Sequence, residues 1–407
     1  MKKKVTYVNP KRRIAQKVFV TLFGTLFGVM VVGTDIAMDN ESTISAALGQ
    51  PDYELVQKEN SEGPKELFES EFKSIREVVY NGYQVQLEEA KEGTVLLKNN
   101  GALPLAKGSK VSLFGIASAA PFYGASGSGG INTKEAISWY DAFAGKHYEK
   151  EDPKDPKFGD PYFQVNEKLK ASYTEWTGKT SDVNASSNVS NVKIGDVTWD
   201  QIAATEGYAD IPTYGDAAFM IIKRTGGEGY DLPATTGKNE QYGNLNNATA
   251  VNSDGVNGDY LQLSETEKSI LSGLKAMKAE GKVKKIVLIL NMASTIQLDF
   301  LKNDVYDIDA CLWTGAIGEF GAEAITKLLV GEWNFSGGLS TTLWANHLNN
   351  PVNSNFTDQN YFFTYDNHAE MGFVNDPAES GQYQSSMFSY LVYQEGMYLG
   401  YKYTETR

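Results

Sequence analysis

The stretch "SETEKSILSGLKAMKAEGKVKKIVLILN" (264–291) constrains this chain more than any other. Ser264 followed three residues later by Glu267 is a capping-box pattern. Ile270, Leu271, Leu274 and Met277 then mark one face of a helix over 264–282. The run that follows, "KKIVLILN" (284–291), is apolar on both of its faces. A strand with no polar side needs a cover above and below. "DAAFMIIKR" (216–224) has the same character, and "TVLLK" (94–98), "KVSLFG" (110–115) and "DACLW" (309–313) are shorter β-rich runs. Helical spacing also holds over 66–92, through Phe72, Ile75, Val79, Leu87 and Ala90, with a stop at Gly93. It returns over 318–332, where Ala324, Ile325, Leu328 and Leu329 share a face and Glu323 stands four residues before Lys327. Apolar strands alternating with helices predict an α/β fold: a mostly parallel sheet sandwiched between helices.

The N-terminus has a different character. Seven Lys/Arg and no acid fall within residues 1–17, ahead of the apolar "VFVTLFGTLFGVMVVG" (18–33). A basic flank before an apolar segment reads as a signal peptide or a membrane anchor over 1–38, with the flank cytoplasmic and the body extracytoplasmic, secreted or held at the membrane. Sixteen apolar residues are short of the ~20 a spanning helix needs, so both readings stand. Residues 39–65 are polar and read as a linker, leaving 66–407 for the folded domain. Residues 145–200, with "KEDPKDPKFGDP" and "SDVNASSNVSN", read as a long surface insertion.

The net charge is −14, and setting aside the N-terminal cations leaves 30 basic against 51 acidic residues. Such a body repels phosphate backbones, which excludes nucleic acid as a partner, whereas a neutral sugar meets no barrier. The single cysteine, Cys311, sits in an apolar run and reads as an inert core thiol. Three scattered histidines offer no metal-ligand spacing, and neither a metal nor a cofactor is expected.

Two loops follow buried strands. "RTGGEGYDLP" (224–233) presents one carboxylate, Glu228, among glycines that let a ligand approach the backbone. In open α/β sheets functional groups collect at the carboxyl ends of strands. An acid poorly solvated there has a raised pKa and suits proton donation, although a lone acid in a glycine turn also reads as a solvated loop residue. Arg224 is placed to pair with Glu228 or Asp231 or to bind a sugar hydroxyl, and equally reads as a strand-end surface charge; Tyr230 reads as filling a crevice or stacking on a ring, and Asp231 as capping or bracing the turn. "PFYGASGSGGIN" (121–132) follows "VSLFG" and reads as the most flexible loop. It lacks both a Gly-Lys-Ser/Thr ending and the G-x-G-x-x-G spacing of a phosphate cradle.

Several blocks in one order resemble the C-terminal-type α/β sandwich of glycoside hydrolase family 3, the β-glucosidase-like enzymes. They are "EGTVLLKNNGALPL", "VSLFG", "IIKRTGGEGYDLP", "IVLILN", "LWTGAIGEFGAEAITKLLVGEWNFSGGLSTTLW" and "YQEGMYLGYKY". The resemblance runs from about Leu87 to Arg407, with insertions near 145–215 and 346–388. It implies that Glu228 is the acid/base of a retaining hydrolysis on a β-linked glucoside or oligosaccharide. It also implies that Tyr123, Ser126 and Ser128 lie at the mouth of the active site. The family's nucleophile is an aspartate on a separate (β/α)8 barrel in a Ser-Asp-Trp-like context, and no Ser-Asp-Trp occurs here. The chain is therefore expected to be a fragment of a permuted member that needs the barrel in cis or in trans, nearly inactive by itself. The alternative is a non-catalytic exported sandwich that binds carbohydrate or a partner.

Overall fold

The computed structural model describes residues 10–39, 71–125, 129–179, 193–226, 251–252, 259–351, 356–357, 390–391, 393 and 395–406. The chain divides into two units, Met1–Glu71 and Phe72–Arg407. The first contains helix α1 (Pro10–Asp39), whose stretch Arg13–Thr34 has a mean hydropathy of 1.8 and no buried residue. At 22 residues it is long and apolar enough to cross a membrane. It outruns the sixteen-residue apolar core because its flanks, Ile14 and Ala15 on one side and Thr34 on the other, continue the same helix.

The second unit is built on a sheet of β1 (Val95–Asn99), β2 (Ser109–Phe114), β5 (Phe163–Val165), β7 (Ala217–Arg224), β9 (Ile286–Met292) and β10 (Ala310–Trp313). The spatial order is β1-β10-β9-β7-β2-β5. All neighbours are parallel except β1, which lies antiparallel against β10 at the edge. Three short pairs stand apart: β3 (Lys146–Glu149) with β4 (Asp152–Phe158), β6 (Lys193–Ile194) with β8 (Val251–Asn252), and β11 (Phe356–Thr357) with β12 (Tyr390–Leu391).

Alternation along β7 explains why it is apolar throughout. Ala217, Phe219 and Ile221 join one core with Val287, Ile289 and Leu312. Ala218, Met220 and Ile222 join the other with Ile286, Leu288 and Leu290. Helices α2 (Ile75–Gly93), α3 (Trp139–Phe143) and α9 (Gly321–Leu329) cover the first face through Tyr83, Leu87, Trp139, Phe143, Ile325 and Leu329. Helices α4 (Glu167–Lys179) and α7 (Glu265–Ala279) cover the second through Leu169, Tyr173, Ile270, Leu271 and Leu274. α5 (Trp199–Ala203), α6 (Glu206–Asp210), α8 (Asp299–Lys302) and α10 (Tyr401–Thr406) are short.

The capping box of α7 forms as its sequence predicts, with Ser264 Oγ accepting from Glu267 N and Glu267 Oε2 accepting from Ser264 N. Where α7 meets α5 it carries a glycine, because a Cβ on Gly273 would lie 2.2 Å from the Trp199 ring.

The surface insertion expected over 145–200 is in part structural. β5 extends the parallel sheet beside β2, and Phe163, Leu169 and Tyr173 are fully enclosed. A three-residue edge strand is too short to show a period, and the charged, proline-bearing hairpin β3–β4 before it hides the core positions that follow.

Candidate active site

From β2 the chain crosses to β5 on one side of the sheet, whereas from β7 it proceeds to β9 and β10 on the other. The carboxyl ends of β2 and β7 therefore flank the point where the winding reverses, the position at which open α/β sheets bind ligands. The geometry there is tight. Phe114 pairs with Met220, and Gly115 turns the chain away at φ 90°; a Cβ on it would stand 2.2 Å from Ile221 O. Only glycine fits such a turn.

The segment after Gly115 is pinned to three strand ends. Lys223 Nζ, on β7, donates to Ala120 O at 2.9 Å. Asn291, on β9, grips Phe122 from both sides, its Oδ1 accepting from Phe122 N at 2.7 Å and its Nδ2 donating to Phe122 O at 3.0 Å. The same Nδ2 reaches Gly315 O at 2.8 Å, beyond β10. Ile317 N and Gly318 N then donate to Phe122 O and Tyr123 O. The first half of the loop expected to be most flexible is thus a fixed wall.

A cavity of about 180 Å³ opens between this wall and the end of β7. Tyr123, Ala125 and Ile131 line one side, Lys223 and Thr225 the other. Burial pushes the Tyr123 phenol above its ordinary range, so it stays protonated. Burial pushes the Lys223 amine down to about 8, against the attraction of Asp196. Burial likewise pushes the Asp196 carboxyl up to about 8, although the N–H groups of Ile116 and Val197 donate to it and favour its charged form.

Arg224, read from the sequence as a partner for Glu228 or Asp231 or for sugar, is turned to the opposite face. It is 1% exposed, and its guanidinium bonds Glu267 through both terminal nitrogens, at 2.7 and 2.8 Å. Its other donors go to the carbonyls of Lys223, Tyr260 and Gln262. All five N–H groups have partners inside the protein, which leaves none for a sugar. Tyr260 OH donates in turn to Thr225 O. Beside it His347 Nε2 meets Asp259 Oδ2 at 2.9 Å. The two sides of the segment that leaves β7 after Thr225 and returns at Asp259 are thereby fastened together.

Of the residues singled out by sequence, Tyr123 lies on the cavity and Arg224 behind it. Glu228, Tyr230, Asp231, Ser126 and Ser128 lie outside the described residues. Lys223, Thr225 and Asn291 fall within the blocks "IIKRTGGEGYDLP" and "IVLILN" without being singled out there, and the signal that points to them is their position at or just beyond the carboxyl ends of two apolar strands. Cys311 is fully enclosed and burial pushes its thiol far up, as an inert core position requires. A larger cavity of about 490 Å³ lies between α2, α9 and the β3–β4 hairpin, and the Glu323 carboxylate that lines it is already engaged. Tyr83 OH donates to Glu323 Oε2 at 2.6 Å and Lys327 Nζ to Glu323 Oε1 at 2.7 Å.

Comparison with known proteins agrees with this architecture. The chain is 22% identical over 325 residues to beta-glucosidase A of Butyrivibrio fibrisolvens, an alignment spanning 79% of this chain and 32% of that protein. Among solved structures, beta-glucosidase 3B from Thermotoga neapolitana in complex with glycerol superposes with a TM-score of 0.54 at 23% identity, over 80% of this chain and 36% of that one. Its complex with glucose gives 0.52 at 23% identity, over 81% and 36%. The chain thus spans about a third of the length of these relatives. The model of the glycosyl hydrolase family 3 C-terminal domain matches residues 94–401, three quarters of the chain, and with the doubly wound sheet this shows that the chain belongs to that family.

Proposed function

We propose that this chain supplies the acid/base half of a β-glucosidase-like active site. Glu228 protonates the departing glycosidic oxygen and then, as the carboxylate, activates the incoming water. The observation that carries the reading is the family match over 94–401, a range that includes "GGEGYD", together with the end of β7 at Arg224, directly beside the cavity at the winding reversal. Retaining hydrolysis needs a second carboxyl about 5–5.5 Å from the first, to act as nucleophile. Among the described residues no carboxylate lines the cavity, and on the family pattern the nucleophile would come from a barrel domain, in cis or in trans. The exported or membrane-held placement suggested by α1 would set this site outside the cytoplasm, where β-linked oligosaccharides are met.

The test is turnover of an aryl β-glucoside by the full chain, alone and with a family 3 barrel domain added. Alone it should show almost none. Barrel-supported turnover should fall by about 10²–10⁴-fold in Glu228→Gln, the usual worth of a positioned acid/base. Barrel-supported turnover that survives this change would refute the assignment of Glu228. No turnover under any pairing, with sugar binding retained, would favour a carbohydrate-binding domain.

A further inference from the structure

β7 ends on two adjacent cations, one to each face of the sheet, and among the described residues only one of them meets a carboxylate in an ion pair. Arg224 has Glu267. Lys223 donates a single hydrogen bond, to Ala120 O, and makes no ion pair among the described residues. An ammonium has three protons to give, and a desolvated charge without a counter-ion is unfavourable. Asp196, the acid whose charge it feels, is already engaged by the N–H groups of Ile116 and Val197. The next residue, Thr225, also lines the cavity, and its buried Oγ1 has no hydrogen-bond partner among the described residues. The rest of the described lining, including Phe122, Tyr123, Ile131 and Thr133, is uncharged.

An ammonium with two protons unassigned and a hydroxyl without a partner among the described residues, at one end of a cavity whose described lining is otherwise uncharged, call for an acceptor that carries negative charge. We propose that the cavity takes a monosaccharide bearing a carboxylate, a hexuronic acid, with the carboxylate on the Lys223 ammonium and beside Thr225. The sugar part rests on the glycosidase reading above; the carboxylate part rests on Lys223 and Thr225. A volume of about 180 Å³ suits a single ring, well short of the 300–1,000 Å³ of sites for drug-sized ligands. Tyr123 offers ring surface to the sugar's C–H face. One ammonium balances one negative charge, which favours a carboxylate over a phosphate dianion. Phe122 N, a backbone donor on the wall, is taken by Asn291 and is not free for a phosphate. A polyanion is disfavoured by the net charge of −14.

Isothermal titration calorimetry of the full chain in detergent micelles, well below pH 8, tests this with D-glucuronate, D-glucose and acetate as probes. Glucuronate should bind at least about tenfold more tightly than glucose, the scale of one charge-assisted contact. Lys223→Met should erase that preference, Lys223→Arg should keep most of it, and Thr225→Val should weaken glucuronate a few-fold. Circular dichroism establishes that each variant is folded, and Lys223→Arg keeps the test valid should Lys223→Met fail to fold. The proposal is overturned by equal affinity for the two sugars, by undiminished glucuronate binding in folded Lys223→Met, by acetate binding as well as glucuronate, or by no heat from glucuronate at all. None of these titrations requires hydrolysis, so failure of the acid/base assignment would appear in the turnover assay and leave them readable.

Discussion

Arg224→Met should be among the most damaging single changes in the second unit. The substitution keeps most of the side chain's bulk, so the loss is electrostatic. Glu267, 3% exposed, would keep one donor, Ser264 N, and lose both of its charge-assisted bonds. Removing one member of a buried pair typically costs about 3–5 kcal/mol, because the other charge is left without compensation. The carbonyls of Lys223, Tyr260 and Gln262 also lose their donor, and each orphaned acceptor adds roughly 1 kcal/mol or more. Against a typical domain stability of about 5–15 kcal/mol, a loss near 5 would bring the protein close to unfolding at room temperature. Urea unfolding followed by tryptophan fluorescence reports on this face, where Trp176 and Trp199 pack against the core. The partner variant Glu267→Leu and the double variant complete the cycle. The double variant should be more stable than the sum of the singles implies, by about 2–3 kcal/mol, because it leaves no buried charge behind. A cost below about 1 kcal/mol for Arg224→Met, or additive single losses, would refute the claim that this pair holds the end of β7.

Other expectations concern the two cores and the cavity wall. Asn291→Leu should cost about 1–3 kcal/mol by orphaning Phe122 N and O, and amide hydrogen exchange should show the wall at 120–123 opening faster than in the parent. Gly273→Ala should destabilise by roughly 1–3 kcal/mol, since its methyl meets the Trp199 ring, and urea titration measures it. The Lys223 amine, at about 8 in the fold against 10.5 when unfolded, binds fewer protons in the native state between those values. Stability should therefore rise from pH 8 to 10.5 by up to roughly 3 kcal/mol, and Lys223→Met should flatten that limb of a urea-midpoint profile. Asp196, raised to about 8 from 3.8, acts oppositely, so its contribution to stability should fall as pH climbs from 4 to 8. Native Cys311 should react with a thiol reagent only at the rate of unfolding, as labelling kinetics would reveal.

The central sheet was legible because its strands are apolar on both faces, and β7 and β9 in particular admit no exposed placement. Helix α7 was legible to its first residue because a capping box is a local signal read over four positions. The site was less so. Lys223 looks like the polar end of a strand until Ala120, 103 residues away, is seen beside it. The destination of Arg224 was misread for the same reason, as Glu267 lies 43 residues on and a nearer acid offered a simpler pairing. Asn291 reads as the last letter of an apolar run, and only its three bonds across the sheet reveal it as a brace. Local pattern announces elements, whereas long-range polar contacts are set by topology and leave no period to read.

The fastening of Thr225 and Arg224 to Tyr260 and Gln262 bears on how much the chain between them can change. With exit and return tied at the root, what lies between them can lengthen or change composition while the sheet beneath is undisturbed. Doubling the length of a tied excursion costs only about 0.6 kcal/mol of closure entropy. The tie at the root therefore makes a graft between residues 226 and 258 the exchange that the sheet should tolerate best.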